Sequence, residues 1–139
     1  ALSRRRFGET IKAINDQFPF WFCGNFHQYN GQEDKLPFDH HQLLALIAPR
    51  PLHIGSAGDD LWADPRGEFL AVVHASEVYA LFGHPSWKDQ IMPPLSTPLM
   101  RGPLAYHVRP GKHDLTLYDW QQYLNFADRH LKPAVKSSI

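Results

Sequence analysis

The stretch from Arg50 to Phe69, RPLHIGSAGDDLWADPRGEF, reads as a buried strand running through an acidic loop into a helix. Pro51 to Ala57 is a short apolar run opened by a proline and closed at Gly58, the pattern of a core strand that ends in a turn. In open α/β sheets the groups that do chemistry project from the carboxyl ends of such strands, where backbone amides and helix N-termini face whatever binds there. Asp59, Asp60, Trp62 and Asp64 occupy that position. Pro65 suits the first turn of the following helix, with Asp64 as its expected N-cap and Asp59 as a solvated neighbour. Local structure then gives no role to Asp60 or Trp62.

A length of 139 residues and a hydrophobic fraction of 43% are enough for one packed globular unit. The 14 basic and 14 acidic side chains balance, so the composition carries neither the basic footprint of a nucleic-acid binder nor a polybasic membrane patch. Arg4, Arg5 and Arg6 form a short run expected to be solvated. Cys23 is the single cysteine, which excludes an internal disulfide, and its aromatic neighbours predict a buried, inert thiol. No stretch approaches the roughly 20 apolar residues of a membrane-spanning helix, and the first residues lack the charged-then-apolar pattern of a secretion signal.

Phe7, Ile11 and Ile14 share one face of a helix expected over residues 6–17, which puts Glu9 on its exposed side. Residues 18–29 are dense in aromatics and are expected in the core. Residues 30–39 read as a loop opened by Asn30 and Gly31, with Asp39 capping a helix from His40 to Ile47 that Pro49 stops. After the central strand, Phe69, Val72, Val73, Val78, Leu81 and Phe82 predict an amphipathic helix over residues 65–82, ended by Gly83. Residues 83–103 hold five of the chain's 12 prolines without periodicity and are expected to form an irregular surface excursion, a place where lids occur. A second strand over residues 104–108, a turn at Pro110 and Gly111, and a last helix over residues 116–131 complete the order.

Two apolar strands that both lead into helices indicate parallel α/β architecture, yet two such strands cannot cover their own faces or edges. The expectation is therefore that residues 1–139 are the C-terminal part of a single larger α/β domain.

Three runs carry a family resemblance: FPFWFCGNFHQYNGQEDKLPFDHHQLLALIAPRPL (18–52), DLWADPRGEF (60–69) and RPGKHDLTLYDWQQYLNFADRHL (109–131). Together they resemble the C-terminal half of bacterial glucuronoyl esterases, which are α/β-hydrolases with a three-layer, mostly parallel sheet. The resemblance implies a serine-type carboxylic ester hydrolase that cleaves glucuronic acid esters linking xylan to lignin, and export to the periplasm or outside the cell. The serine elbow, its basic neighbours and the oxyanion hole of that family belong to its N-terminal half and are not located in these residues. The partner implied is thus the remainder of the same domain, together with a glucuronoxylan or lignin-carbohydrate ester as substrate.

The order of triad residues in α/β-hydrolases is nucleophile, acid, histidine, with the acid after a late strand and the histidine before the final helix. Asp60 and His113 stand at those places. A serine hydroxyl is a weak nucleophile at neutral pH, so an imidazole must take its proton, and a carboxylate holds that imidazole in the working tautomer. The family draws its acid from either of two positions, the loop matching Asp60 or a glutamate upstream of Ala1, so Asp60 is sole acid, partner or spectator at this level. Asp114 is expected near the last helix's N-terminus, favoured by its dipole. The resemblance gives Trp62 to the sugar site, where an indole offers an apolar face and one N–H donor; the alternative is a rim aromatic under the proline-rich excursion. It also matches Glu9 to a glutamate that accepts from a sugar hydroxyl. Adjacent His40 and His41 point to different sides of a helix, against metal chelation, and Asp39 with His27 or His53 offers only a weak ligand set. The implied chemistry needs neither metal nor cofactor. A different class of reading is a non-catalytic fragment, inactive without the serine-bearing half.

Overall fold

A computed structural model describes residues 2–88 and 90–132. The apolar run at the centre forms strand β1, Leu52–Ala57, and the apolar run near the end forms β3, Leu104–Arg109. They pair in parallel, Leu52 opposite Leu104 through to Ala57 opposite Arg109. Helix α3, Pro65–Ala80, lies between them in sequence and packs on both, which makes a β-α-β unit. Every residue of β3 is buried, as expected for the middle strand of the sheet, whose order is β1-β3-β2.

The third strand corrects the reading of the proline-rich excursion. Leu99–Arg101 forms β2, antiparallel to β3 with Leu99 opposite Tyr106. Upstream of it, Trp87 is 1% exposed and sits in the same core cluster as Phe69, Val72, Tyr106 and Val108. Its backbone N–H donates to Ser76 Oγ at 2.7 Å, and Ser96 N–H donates to Val108 O at 2.7 Å. The excursion is a plug and an edge strand rather than a lid. Proline spacing hides this, because one buried tryptophan supplies the anchorage that periodicity usually signals.

Helix α3 buries residues on nearly all sides, including Phe69, Ala71, Val72, Val73, Ala75, Ser76 and Tyr79, because the sheet lies on one face and α2, His40–Ala45, on another. It is a core helix, not an amphipathic surface one. It ends at Ala80, so Leu81 and Phe82 lie beyond it and are exposed. Tyr79 and Tyr106 each bury a ring and spend the hydroxyl on backbone, Tyr79 on Arg50 O at 2.8 Å and Tyr106 on Pro65 O at 2.9 Å. Asp39 caps α2 as expected, in a reciprocal box with Gln42, and also accepts from Ser3 and Arg4 N–H groups.

Several local expectations are overturned. Helix α1 is shorter than its apolar spacing suggests, Ile11–Gln17 with Thr10 as N-cap, so Glu9 precedes the helix instead of riding on it. Asp64 stands at the N-cap position of α3 with φ +56° but makes no side-chain cap. Its buried carboxylate instead takes a bidentate fork from Arg5, Nε to Oδ2 at 2.6 Å and Nη2 to Oδ1 at 3.0 Å. Arg5 is therefore not merely solvated: a guanidinium that reaches a buried carboxylate from a distant segment outcompetes the local backbone cap. The aromatic run is not core either. Phe20 and Trp21 are exposed, Phe18 and Trp21 stack on each other with centroids 4.0 Å apart, and Cys23 is exposed.

Candidate active site

The carboxyl ends of β1 and β3 lie side by side because the strands are parallel and in register, and backbone bonds continue the pairing into the loops. Gly58 N–H donates to Arg109 O at 2.7 Å and Asp59 N–H to Gly111 O at 3.0 Å. These two bonds bring the acidic loop of residues 58–64 against the loop of residues 110–116. Asp60 Oδ2 and His113 Nδ1, 53 positions apart in sequence, meet at 2.6 Å. A carboxylate only accepts, so His113 Nδ1 carries the proton and the other ring nitrogen is left to take one. The Asp60 side chain is 12% exposed and steadied by the Ala63 N–H, whereas the His113 side chain is 90% exposed. Asp59 and Asp114 lie beside this pair without joining it: Asp59 is exposed, and the Asp114 carboxylate accepts from the Leu115 N–H just before α4, Leu117–Leu131.

Trp62 and Glu9 also come together. Trp62 Nε1 donates to Glu9 Oε1 at 3.0 Å, and Glu9 N–H donates back to Trp62 O at 2.7 Å. Gly8 makes the approach possible. Its φ is +74°, and a Cβ there would lie 2.3 Å from Trp62 O, so a side chain would push the two segments apart. Trp62 is half exposed and borders a cavity of about 250 Å³ with Glu9, Phe26, His40 and Glu68. A smaller cavity, about 120 Å³, is lined by Asp60, His113, Ser56, Glu68 and Tyr123. Ala63 and Glu68 line both, so the indole-carboxylate pair and the carboxylate-imidazole pair open on neighbouring spaces.

Further polar groups line or underlie this region; of these the sequence singles out only His53, and that as a weak metal ligand. Glu68 accepts from Ser56 Oγ at 2.6 Å, and burial raises its pKa above the usual carboxylate range even though the Ser56 bond pulls the other way, with Asp60 and Asp64 adding repulsion. Beneath the loop of His113 lies a chain of buried groups: His53 Nε2 meets His107 Nδ1 at 2.9 Å, His107 Nε2 meets Asp119 Oδ1 at 2.9 Å, and Arg109 Nε donates to Asp119 Oδ2 at 2.7 Å. Asp119 accepts from His107, so that ring presents a lone pair at Nδ1 and His53 donates to it. Burial, with His107 adjacent, lowers the His53 pKa to about 4. Gly55 makes room for this cluster, since a Cβ there would lie 2.4 Å from the Tyr123 hydroxyl. The only local signal for these residues was polar side chains at strand and first-turn positions that otherwise read as buried, at His107, Arg109 and Asp119. Among the described residues no group of histidine, cysteine, aspartate and glutamate side chains is arranged to hold a metal, and Asp39 is committed to its helix cap.

Residues 3–83 match the family described as glucuronyl esterase, fungi. Carbohydrate esterase MZ0003, from an unknown prokaryotic organism, is 55% identical over 131 residues, covering 94% of this chain and 30% of that protein. A solved promiscuous CE15 esterase from a marine bacterial metagenome superposes with a TM-score of 0.89 at 53% identity, over 94% of this chain and 33% of its own. The glucuronoyl esterase from Solibacter usitatus superposes with a TM-score of 0.86 at 49% identity, over 95% of this chain and 33% of its own. The chain thus spans about a third of the length of the relatives it matches. With a parallel β-α-β unit as its centre and that match over more than half of its residues, the chain belongs to the glucuronyl esterase family.

Proposed function

We propose that these residues supply the acid and the base of a serine-type esterase acting on esters of glucuronic acid, and that they form the C-terminal part of one α/β-hydrolase domain. The observation that carries the reading is the 2.6 Å contact between Asp60 Oδ2 and His113 Nδ1 at the carboxyl end of a parallel sheet. In the reaction, a serine hydroxyl from outside these residues attacks the ester carbonyl while the free ring nitrogen of His113 takes its proton. Asp60 stabilises the imidazolium. The same nitrogen then returns the proton to the departing alcohol, leaving the glucuronoyl group on the serine. Water, deprotonated in turn by His113, releases the acid and restores the hydroxyl.

The neighbouring cavity supplies specificity in this reading. The Trp62 indole offers an apolar face to a sugar ring, and Glu9 offers an acceptor to a sugar hydroxyl. The substrate proposed is a glucuronoxylan ester whose alcohol belongs to lignin, which places the enzyme outside the cytoplasm, secreted or periplasmic. The relatives named as 4-O-methyl-glucuronoyl methylesterases support the glucuronate half of this assignment.

The test is hydrolysis of an aryl ester of glucuronic acid by the full-length protein and its His113→Ala variant. Turnover is expected to fall by several orders of magnitude with KM little changed, because proton transfer matters chiefly in the transition state. Turnover close to the parent's would remove His113 from the mechanism. The 139-residue chain assayed alone is expected to be inactive; activity there would place the nucleophile within it.

A further inference from the structure

The geometry points to Arg109 as the positioning residue of His113, with Asp119 orienting Arg109; the inference rests on the esterase reading above. Arg109 is the last residue of β3 and is 4% exposed. Its guanidinium donates to three carbonyl groups of the loop that follows, Pro110 O at 3.0 Å, Lys112 O at 3.1 Å and Asp114 O. Lys112 and Asp114 flank His113 directly, so one cation clamps the backbone on both sides of the imidazole. Such a clamp needs donors fanned in a plane, which a guanidinium has and an ammonium lacks.

The clamp is itself anchored. Arg109 Nε donates to Asp119 Oδ2 at 2.7 Å, and the same oxygen accepts from Thr116 N–H at 2.7 Å and Thr116 Oγ at 2.8 Å. Asp119 is the third residue of α4 and closes its capping box, so the guanidinium is referenced to the start of a helix. The second oxygen, Oδ1, accepts from His107 Nε2 on β3. Although burial alone would raise the pKa of Asp119, the bonds from His107, Thr116 and Arg109 hold it well below the usual carboxylate range, so the anchor is charged at neutral pH.

The arrangement answers a mechanical need. The His113 side chain is 90% exposed, and its contact with Asp60 is its single side-chain hydrogen bond among the described residues. An exposed ring on a loop keeps a productive rotamer only if its backbone is fixed, and a displacement of about 1 Å in such a group costs on the order of 10²-fold in rate. Among the described residues the fixing comes from below, through Arg109, rather than from packing around the ring.

The experiment compares parent, Arg109→Lys, Asp119→Asn and His113→Ala in the full-length protein, with circular dichroism and thermal unfolding confirming a folded state at the assay temperature. For Arg109→Lys, kcat on an aryl glucuronate ester should fall about 10- to 100-fold while KM stays within about twofold. Asp119→Asn, which loosens the anchor but leaves the guanidinium, should show a smaller fall of the same kind. The downfield proton NMR line of His113 Nδ1–H, assigned by its loss in His113→Ala, should broaden or vanish in Arg109→Lys. A role confined to stability would lower the unfolding temperature and leave that line and kcat alone. A folded Arg109→Lys with parental kcat and an intact line overturns the inference; if that variant does not fold, the same result in Asp119→Asn does so. Turnover surviving in His113→Ala sinks the esterase reading instead, and the NMR line still reports whether Arg109 orders the loop.

Discussion

Trp62 and Glu9 hold each other twice, through indole N–H to carboxylate at 3.0 Å and amide N–H to carbonyl at 2.7 Å. The first bond aims the carboxylate and the ring edge together; the second ties the segment before α1 to the acidic loop after β1. A substrate that displaced the indole from Glu9 would need to offer a donor in its place, which a sugar hydroxyl can do.

Trp62→Ala in the full-length protein is accordingly expected to lower kcat/KM on glucuronate esters relative to acetate esters by about 1–3 kcal/mol. Trp62→Phe, which keeps an aromatic face and loses the N–H, should lie between parent and alanine. Parallel rate assays on the two ester classes check this. Equal losses on both would make the indole a purely structural group.

Asp60→Asn keeps the space filled but offers His113 the wrong partner and no charge. If Asp60 is the sole triad acid, the expected loss of turnover approaches 10⁴-fold, the scale of the corresponding change in the serine proteases. A modest loss, deepening when a second carboxylate is also replaced, would indicate a shared role. Turnover within about twofold of the parent, with that second acid already gone, would exclude Asp60.

Acid should destabilise the fold through His53. Its pKa is about 4 in the folded chain against 6.5 when unfolded, so the unfolded state binds the proton more readily. Stability is full above 6.5 and is lost as pH falls toward about 4, below which the penalty is constant. Allowing for partial solvent screening, about 1 kcal/mol should be gone by pH 5. Glu68, raised by burial, contributes with the opposite sign, so the comparison that isolates His53 is parent against His53→Gln. Urea unfolding at pH 7.5 and pH 5 should show a drop in the parent larger by about that amount. Identical drops would show that His53 gains no charge on unfolding.

The chain on its own is expected to associate. Among the described residues β1 pairs on one side only, and Phe20, Leu46, Leu81, Ile91, Leu117 and Leu131 are all more than 70% exposed. Unpaired strand edges and apolar surface of this kind seek partners. Light scattering on the 139-residue chain should report oligomers or aggregates, whereas a monomer with a cooperative unfolding transition would contradict the proposed place of these residues in a larger domain.

What the sequence determined by itself were the features set by short-range rules. Residues 51–57 and 104–108 announced strands by apolar runs between prolines and glycines, Asp39 announced a helix start, and the order of Asp60 before His113 followed a known chain order. What only the tertiary structure decided were pairings between distant segments. Arg5 takes the Asp64 carboxylate that local rules assign to a helix cap, Trp87 turns a proline-rich excursion into part of the core, and Arg109 reaches past its own strand to hold the loop of His113. The physical reason is common to all three. A buried polar or aromatic group gains most from a partner that removes it from water, and which partner that is depends on how the strands and helices come together, not on the neighbours it has in sequence.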